Sequence, residues 1–229
     1  MQLEIAVFNV DDAIKAAAVK PQRLEICSNY QVGGITCHEN DLKKIRTLID
    51  IPIFAIVRPR AGDFVYNNEE FAEMKKTISL CKELHYNGIV LGLLKDDNTI
   101  DENRTAELVA LAYPLPVTFH RAFDKVQNNE TALEAVIKTG CKRILTSGGK
   151  PTALEGIHTL EQLVEKAKSR ISILPGGGIR SQHLQTLLSK TKATEFHSAA
   201  LDVNTALNID EIIKMKKILE QKKAPNTDV

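Results

Sequence analysis

The sequence predicts a closed, TIM-like (β/α)8 barrel in a single α/β domain over residues 1–223, and three observations carry that prediction. Eight short apolar runs recur along the chain, rich in Ile, Leu, Val and Phe and near-continuous rather than alternating. Parallel strands covered on both faces read this way. The stretches between them have the periodicity of amphipathic helices, and strand–helix alternation of this kind closes into a barrel or opens into a doubly wound sheet. Polar residues, finally, gather just after the apolar runs, at the end where barrels of this class carry their sites.

In chain order, the first run, LEIAVF (3–8), encloses Glu4 and leads into helix 10–19, entered at Asp11. The second, RLEIC (23–27), carries Glu25 and Cys27 on one face by strand alternation and exits through Ser28-Asn29. IFAIV (53–57) exits through Arg58-Pro-Arg60-Ala-Gly-Asp63-Phe64 and precedes helix 69–84, whose entry is Asn68 followed by two glutamates. GIVLGLL (88–94) is the fourth run, and Asp101 caps the helix after it. PVTF (116–119) exits through His120-Arg121-Ala-Phe-Asp124, with Asn129 opening helix 130–138. RILT (143–146) meets Ser147-Gly148-Gly149, and ISIL (171–174) meets Pro175 and Gly176-Gly177-Gly178, with Ser181 opening helix 183–190. TEFHSA (194–199) places Glu195 and His197 on one face, with Ser198 at its end, and residues 209–223 form the eighth helix. Residues 224–229 read as a frayed tail.

Composition narrows the function. A net charge of +1 and 5% aromatic residues, with no basic cluster interleaved with aromatics, argue against nucleic-acid binding. No run approaches the roughly 18 apolar residues of a spanning helix, and the first residues lack the basic and apolar regions of a signal peptide. A cytoplasmic protein without membrane contact is expected. Cys27, Cys37, Cys81 and Cys141 are widely spaced, with no Cys-x-x-Cys pair, and read as free thiols.

The polar exits define a candidate mouth. Glycines after the sixth and seventh runs let backbone amides and a helix start converge on an anion, so a phosphate or carboxylate is the expected occupant. Arg58, Arg60, Asp63, Arg121, Asp124, Ser147, Gly148, Gly149, Gly176, Gly177, Gly178, His197 and Ser198 are the candidate ligand residues. Glu25 and His120 are candidates for proton transfer. Glu4 and Glu25, inside strands, must each find a cation, a donor or a proton; a structural network with Arg23, Arg58 or Arg121 is the alternative to a catalytic or metal role.

Together Arg23-Leu-Glu-Ile-Cys27-Ser28, Gly33-Gly34, Val57-Arg58-Pro-Arg60-Ala-Gly-Asp63-Phe64-Val-Tyr66, Gly88-Ile-Val-Leu-Gly92, Thr118-Phe-His120-Arg121-Ala-Phe-Asp124, Arg143-Ile-Leu-Thr-Ser147-Gly-Gly149 and Pro175-Gly-Gly-Gly-Ile179 make the sequence similar to the CutC family, in order along nearly the whole chain. The resemblance implies a cytoplasmic barrel, often oligomeric, with copper homeostasis as its role and Cu(I) bound at Cys27. Where the family pattern continues with Pro-Ser, this chain has Cys37-His38. Those two either add a thiolate and an imidazole suited to Cu(I) or are variation in a loop. An enzyme of isomerase or lyase type, acting on a small phosphorylated or carboxylated metabolite, is the other reading of the same mouth.

Overall fold

The computed structural model describes residues 1–221; the tail expected at 224–229 lies outside the described residues. Strands β1 (Gln2–Val7), β2 (Arg23–Ile26), β3 (Ile53–Ile56), β4 (Gly88–Leu91), β5 (Val117–Phe119), β6 (Arg143–Thr146), β7 (Ser172–Pro175) and β8 (Glu195–Ser198) alternate with helices. The helices are α1 (Val10–Ala18), α2 (Glu39–Leu48), α3 (Asn68–Glu83), α4 (Glu102–Ala112), α5 (Asn129–Lys138), α6 (Ile157–Ala167), α7 (Ser181–Thr191) and α8 (Ile209–Gln221). All strand pairs are parallel, in the order β7-β6-β5-β4-β3-β2-β1-β8. β8 therefore sits beside β1, and β7 packs against β8 to complete the ring. A doubly wound sheet would reverse its strand order at a switch point, and this one does not.

Two apolar cores result. The larger lies between the strands and the helical shell, filled by Leu3, Ile5, Leu24, Ile53, Ile89, Phe119, Phe196 and the buried faces of the helices. The smaller is inside the barrel, where Cys27, Phe54, Ile56 and Val90 pack together with Phe8 against them. Barrels usually fill their interior with branched apolar side chains. Here much of the interior is polar instead: Glu4, Arg23, Glu25, Glu195 and His197 are all buried. Phe54 needs its place kept clear, because a Cβ on Gly88 across the ladder would lie 2.4 Å from its ring.

Helix entry differs from the sequence expectation at four places. Asn9, Asn67 and Asn128, not Asp11, Asn68 and Asn129, hold the first turns of α1, α3 and α5. A capping residue has to be extended so that its side chain can turn back onto the second or third amide, and the upstream asparagines have that backbone. Asp101 caps α4 as expected. Ser181, expected to cap α7, is its first helical residue; Arg180 precedes it, with His183 accepting from the Arg180 amide at 3.0 Å. The fourth apolar run also divides: β4 ends at Leu91, and Leu94 forms a separate bridge with Ile100.

Candidate functional site

The carboxyl ends of the strands surround a cavity of about 680 Å3, lined among others by Glu25, Cys27, Arg58, His120, Gly177 and His197. Its floor is set by register. Glu4 of β1 stands opposite Arg23 of β2 on one side and His197 of β8 on the other. Its carboxylate accepts from Arg23 Nε and lies 2.7 Å from His197 Nδ1. Burial alone would raise the Glu4 pKa, but the Arg23 charge and the His197 hydrogen bond outweigh it and hold the group down at about 2.

Below this, Arg23 also donates to Glu195 at 2.9 Å, and Arg143 donates to the same carboxylate at 2.7 Å. Ser172 Oγ donates to the other Glu195 oxygen at 2.9 Å. Two arginines and two glutamates thus neutralise each other beneath the cavity. Of the partners the sequence offered to Glu4, Arg23 is the one the fold supplies. Arg143 carried no signal before the barrel was closed, because its partner is 52 residues away.

Glu25 has no such cation. It lies 3.6 Å from His197 Nε2 and faces the Cys27 thiol. Burial, helped by the Glu4 charge and opposed by His197, pushes its pKa up to about 7. Burial works to lower His197, but the Glu4 hydrogen bond and the charges of Glu25 and Glu4 raise it. Between them Glu25 and His197 retain a proton near neutrality, available to a ligand on the cavity side.

His120, the other candidate for proton transfer, is held differently. Its Nδ1 accepts from the Ala122 amide at 3.2 Å, which places the proton on Nε2. Burial and the Arg58 charge hold its pKa down at about 3. It is a neutral imidazole with a fixed tautomer, and its Nε2 has no hydrogen-bond partner.

The expected anion loops are partly filled from within. Asp124 accepts from the Thr146 hydroxyl, from Ser147 N and Gly149 N, each at 3.1 Å, and from Ser147 Oγ at 3.0 Å. The Ser147-Gly148-Gly149 loop therefore already cradles a carboxylate. Arg121 completes this group, donating to Asp124 at 2.6 Å and Ser147 Oγ at 2.9 Å. At the start of α7 the Ser181 amide donates to Glu211 of α8 at 2.5 Å, so the helix end expected to hold an anion holds Glu211. Gly177 and Gly178 line the cavity, whereas Gly176 is tight against Leu145, 2.4 Å from an added Cβ.

Other residues singled out from sequence lie off the cavity. Arg60 pairs with Asp63 at 2.8 Å and Glu70 at 2.5 Å and braces the loop after β3 onto the start of α3. Ser198 is buried and donates to Ile179 O at 2.8 Å. Cys37 sits in the outer core and His38 is exposed before α2, so Cys27, Cys37 and His38 do not converge. Burial, then the Glu25 charge, pushes the Cys27 thiol well above its usual range, and burial first of all takes Cys37 up to about 12. Among the described residues, the His, Cys and carboxylate groups with ligand atoms within 4.8 Å of one another are Glu4, Glu25 and His197.

The model of the CutC family matches residues 1–202. The copper homeostasis protein cutC homolog of Mus musculus is 43% identical over 198 residues, covering 86% of this chain and 73% of that protein. Its Homo sapiens counterpart is 42% identical over 198 residues, covering 86% of this chain and 72% of that protein. A solved CutC structure from Streptococcus agalactiae superposes with a TM-score of 0.82 at 30% identity, over 87% of this chain and 99% of that one. No helix among the described residues is long and apolar enough to cross a membrane.

Proposed function

The chain belongs to the CutC family, and on that premise we propose that it serves copper homeostasis in the cytoplasm by holding a copper ion at the floor of its barrel mouth. The observation that carries this reading is the convergence of Glu4, Glu25 and His197. Glu4 accepts from His197 Nδ1 and leaves Nε2 facing Glu25, the carboxylate–histidine arrangement by which proteins orient a ligating imidazole. The 3.6 Å between Nε2 and the Glu25 carboxylate is a span that two metal bonds of about 2 Å can bridge.

An imidazole with carboxylates suits Cu(II) better than Cu(I), which favours clustered thiolates. Cys27, facing Glu25, is the soft donor at hand, and its raised pKa makes thiolate ligation costly without a metal. Cys37 and His38 are not part of the proposed site. Four buried, unpaired cysteines suit a reducing compartment. The homo-oligomer implied by the family is carried in the same proposal.

An anaerobic competition titration against a colorimetric chelator, run with Cu(I) and with Cu(II), tests the assignment. Binding is expected to be lost in Glu25→Gln and His197→Gln, weakened in Cys27→Ser and unchanged in Cys37→Ser, with light scattering on the same samples reading the assembly. If the chelator strips both ions from the wild type, copper is not the ligand. The second reading then takes over: proton transfer on a small molecule by Glu25, whose pKa near neutrality suits a general base.

A further inference from the structure

Arg58 is a buried cation, 5% exposed, that pairs with no carboxylate among the described residues. Its Nη1 donates to the carbonyls of Val32 and Gly34, both at 2.8 Å, and its Nη2 to that of Gly62 at 3.0 Å. These contacts fix the guanidinium without neutralising it, and its Nε has no acceptor. His120, also 5% exposed, presents the second buried donor without an acceptor, Nε2. Both residues line the cavity. Phe64 packs against both: its ring centre is 4.8 Å from the Arg58 guanidinium carbon and 5.0 Å from the His120 ring centre.

A buried charge without a counter-ion is strongly unfavourable, and a buried donor without an acceptor adds to the cost. Neither carboxylate that lines the cavity turns to Arg58: Asp124 is held by Arg121 and the Ser147 loop, and Glu25 faces His197 and Cys27. The buried Tyr66 hydroxyl beside Arg58 is neutral, so no described residue supplies the missing counter-charge. We propose that Arg58 and His120 form a binding site for the carboxylate or phosphate group of a small ligand, covered by Phe64.

An oxyanion at this site accepts from Arg58 Nε and His120 Nε2 and supplies the negative charge that Arg58 lacks. His120, with its proton fixed on Nε2, donates without changing its charge. Phe64 is half-buried on the loop after β3, where Gly62 adopts a positive φ of 93° and Arg60 ties the chain to Asp63 and Glu70. Its ring moves aside to admit the ligand while the base of the loop stays anchored. This site is separate from the proposed copper floor, since neither Arg58 nor His120 belongs to the group formed by Glu4, Glu25 and His197.

The test titrates the isotopically labelled, metal-free full chain with inorganic phosphate and, in a second arm, with acetate. The imidazole N–H resonance of His120 and the melting temperature are the readouts. One of the two anions is expected to give a saturable shift of that resonance and a rise in melting temperature. Arg58→Gln should weaken this binding at least about tenfold, the loss of a charge-assisted contact. Phe64→Ala keeps both donors and should bind as tightly as the wild type or tighter, and Glu134→Gln, on the outer surface away from the mouth, should leave the affinity unchanged. If Arg58→Gln does not fold, His120→Phe replaces it, with weaker binding expected. No saturable shift with either anion overturns the site, as does equal affinity in the donor-deleted variant.

Discussion

The barrel buries arginines in two places and treats them oppositely. At the floor, Arg23 and Arg143 meet Glu4 and Glu195 in a chain of ion pairs sealed by Ser172. At the mouth, Arg58 is as deeply buried but meets no carboxylate: it donates to carbonyl oxygens and packs on Phe64. Burial is common to both; counter-charge is not. The floor is therefore closed structure, apart from two atoms on ladder partners, Arg143 Nη1 and Thr118 Oγ1, that have no hydrogen-bond partner. The mouth is incomplete in charge, and an incomplete buried charge is what a ligand can complete.

Breaking the floor should have the largest effect. Glu195→Gln leaves Arg143 without a carboxylate and Arg23 with Glu4 alone, and loss of about 3–5 kcal/mol in urea-induced unfolding is expected. Asp124→Ala comes next. It strands the Ser147 and Gly149 amides and the Thr146 hydroxyl, for a loss of about 2–3 kcal/mol by the same measurement.

Glu25→Gln should act in the opposite direction. The folded-state pKa of about 7 lies above the ordinary 4.5, so the stability this group gives is fully present below pH 4.5 and is lost as pH rises through 7. The variant should therefore melt several degrees higher than wild type at pH 8 and gain nothing at pH 4, since 1 kcal/mol is about 2–4 °C for a chain of this size. Equal melting at pH 8 would mean that Glu25 has found a counter-charge and that the mouth is closed like the floor. The smallest effect belongs to Arg60→Ala. Its partner Asp63 is exposed and Glu70 only partly covered, and a cost of about 0–1 kcal/mol is expected from chemical denaturation.

Most of the fold was legible in the sequence, because parallel strands buried on both faces leave near-continuous apolar runs and because polar residues cluster at one end of them. Helix starts were misplaced because the asparagine that caps is the extended one upstream, a distinction of backbone rather than composition. Within the mouth, Glu25, Arg58 and His120 were visible as ionisable groups in or just after apolar runs. The floor was not, since Glu4, His197, Glu195 and Arg143 become neighbours only when β8 closes on β1. Nor could glycine spacing reveal that Asp124 and Glu211 already fill the two anion-binding elements, because both contacts come from segments distant in the chain.

The contact between Glu211 and the first residue of α7 bears on how fast a ligand arrives. A helix start left open would project its partial positive charge into solvent and draw anions from a distance. Here Glu211 cancels that field at short range, and the chain as a whole carries only +1. Attraction of an anion is then left to the side chains that line the mouth, where Arg58, Arg121, Lys125, Lys150 and Arg180 outnumber Glu25 and Asp124. Raising the ionic strength should slow the encounter by screening these side chains, and discrimination between ligands should reside in how long each one stays.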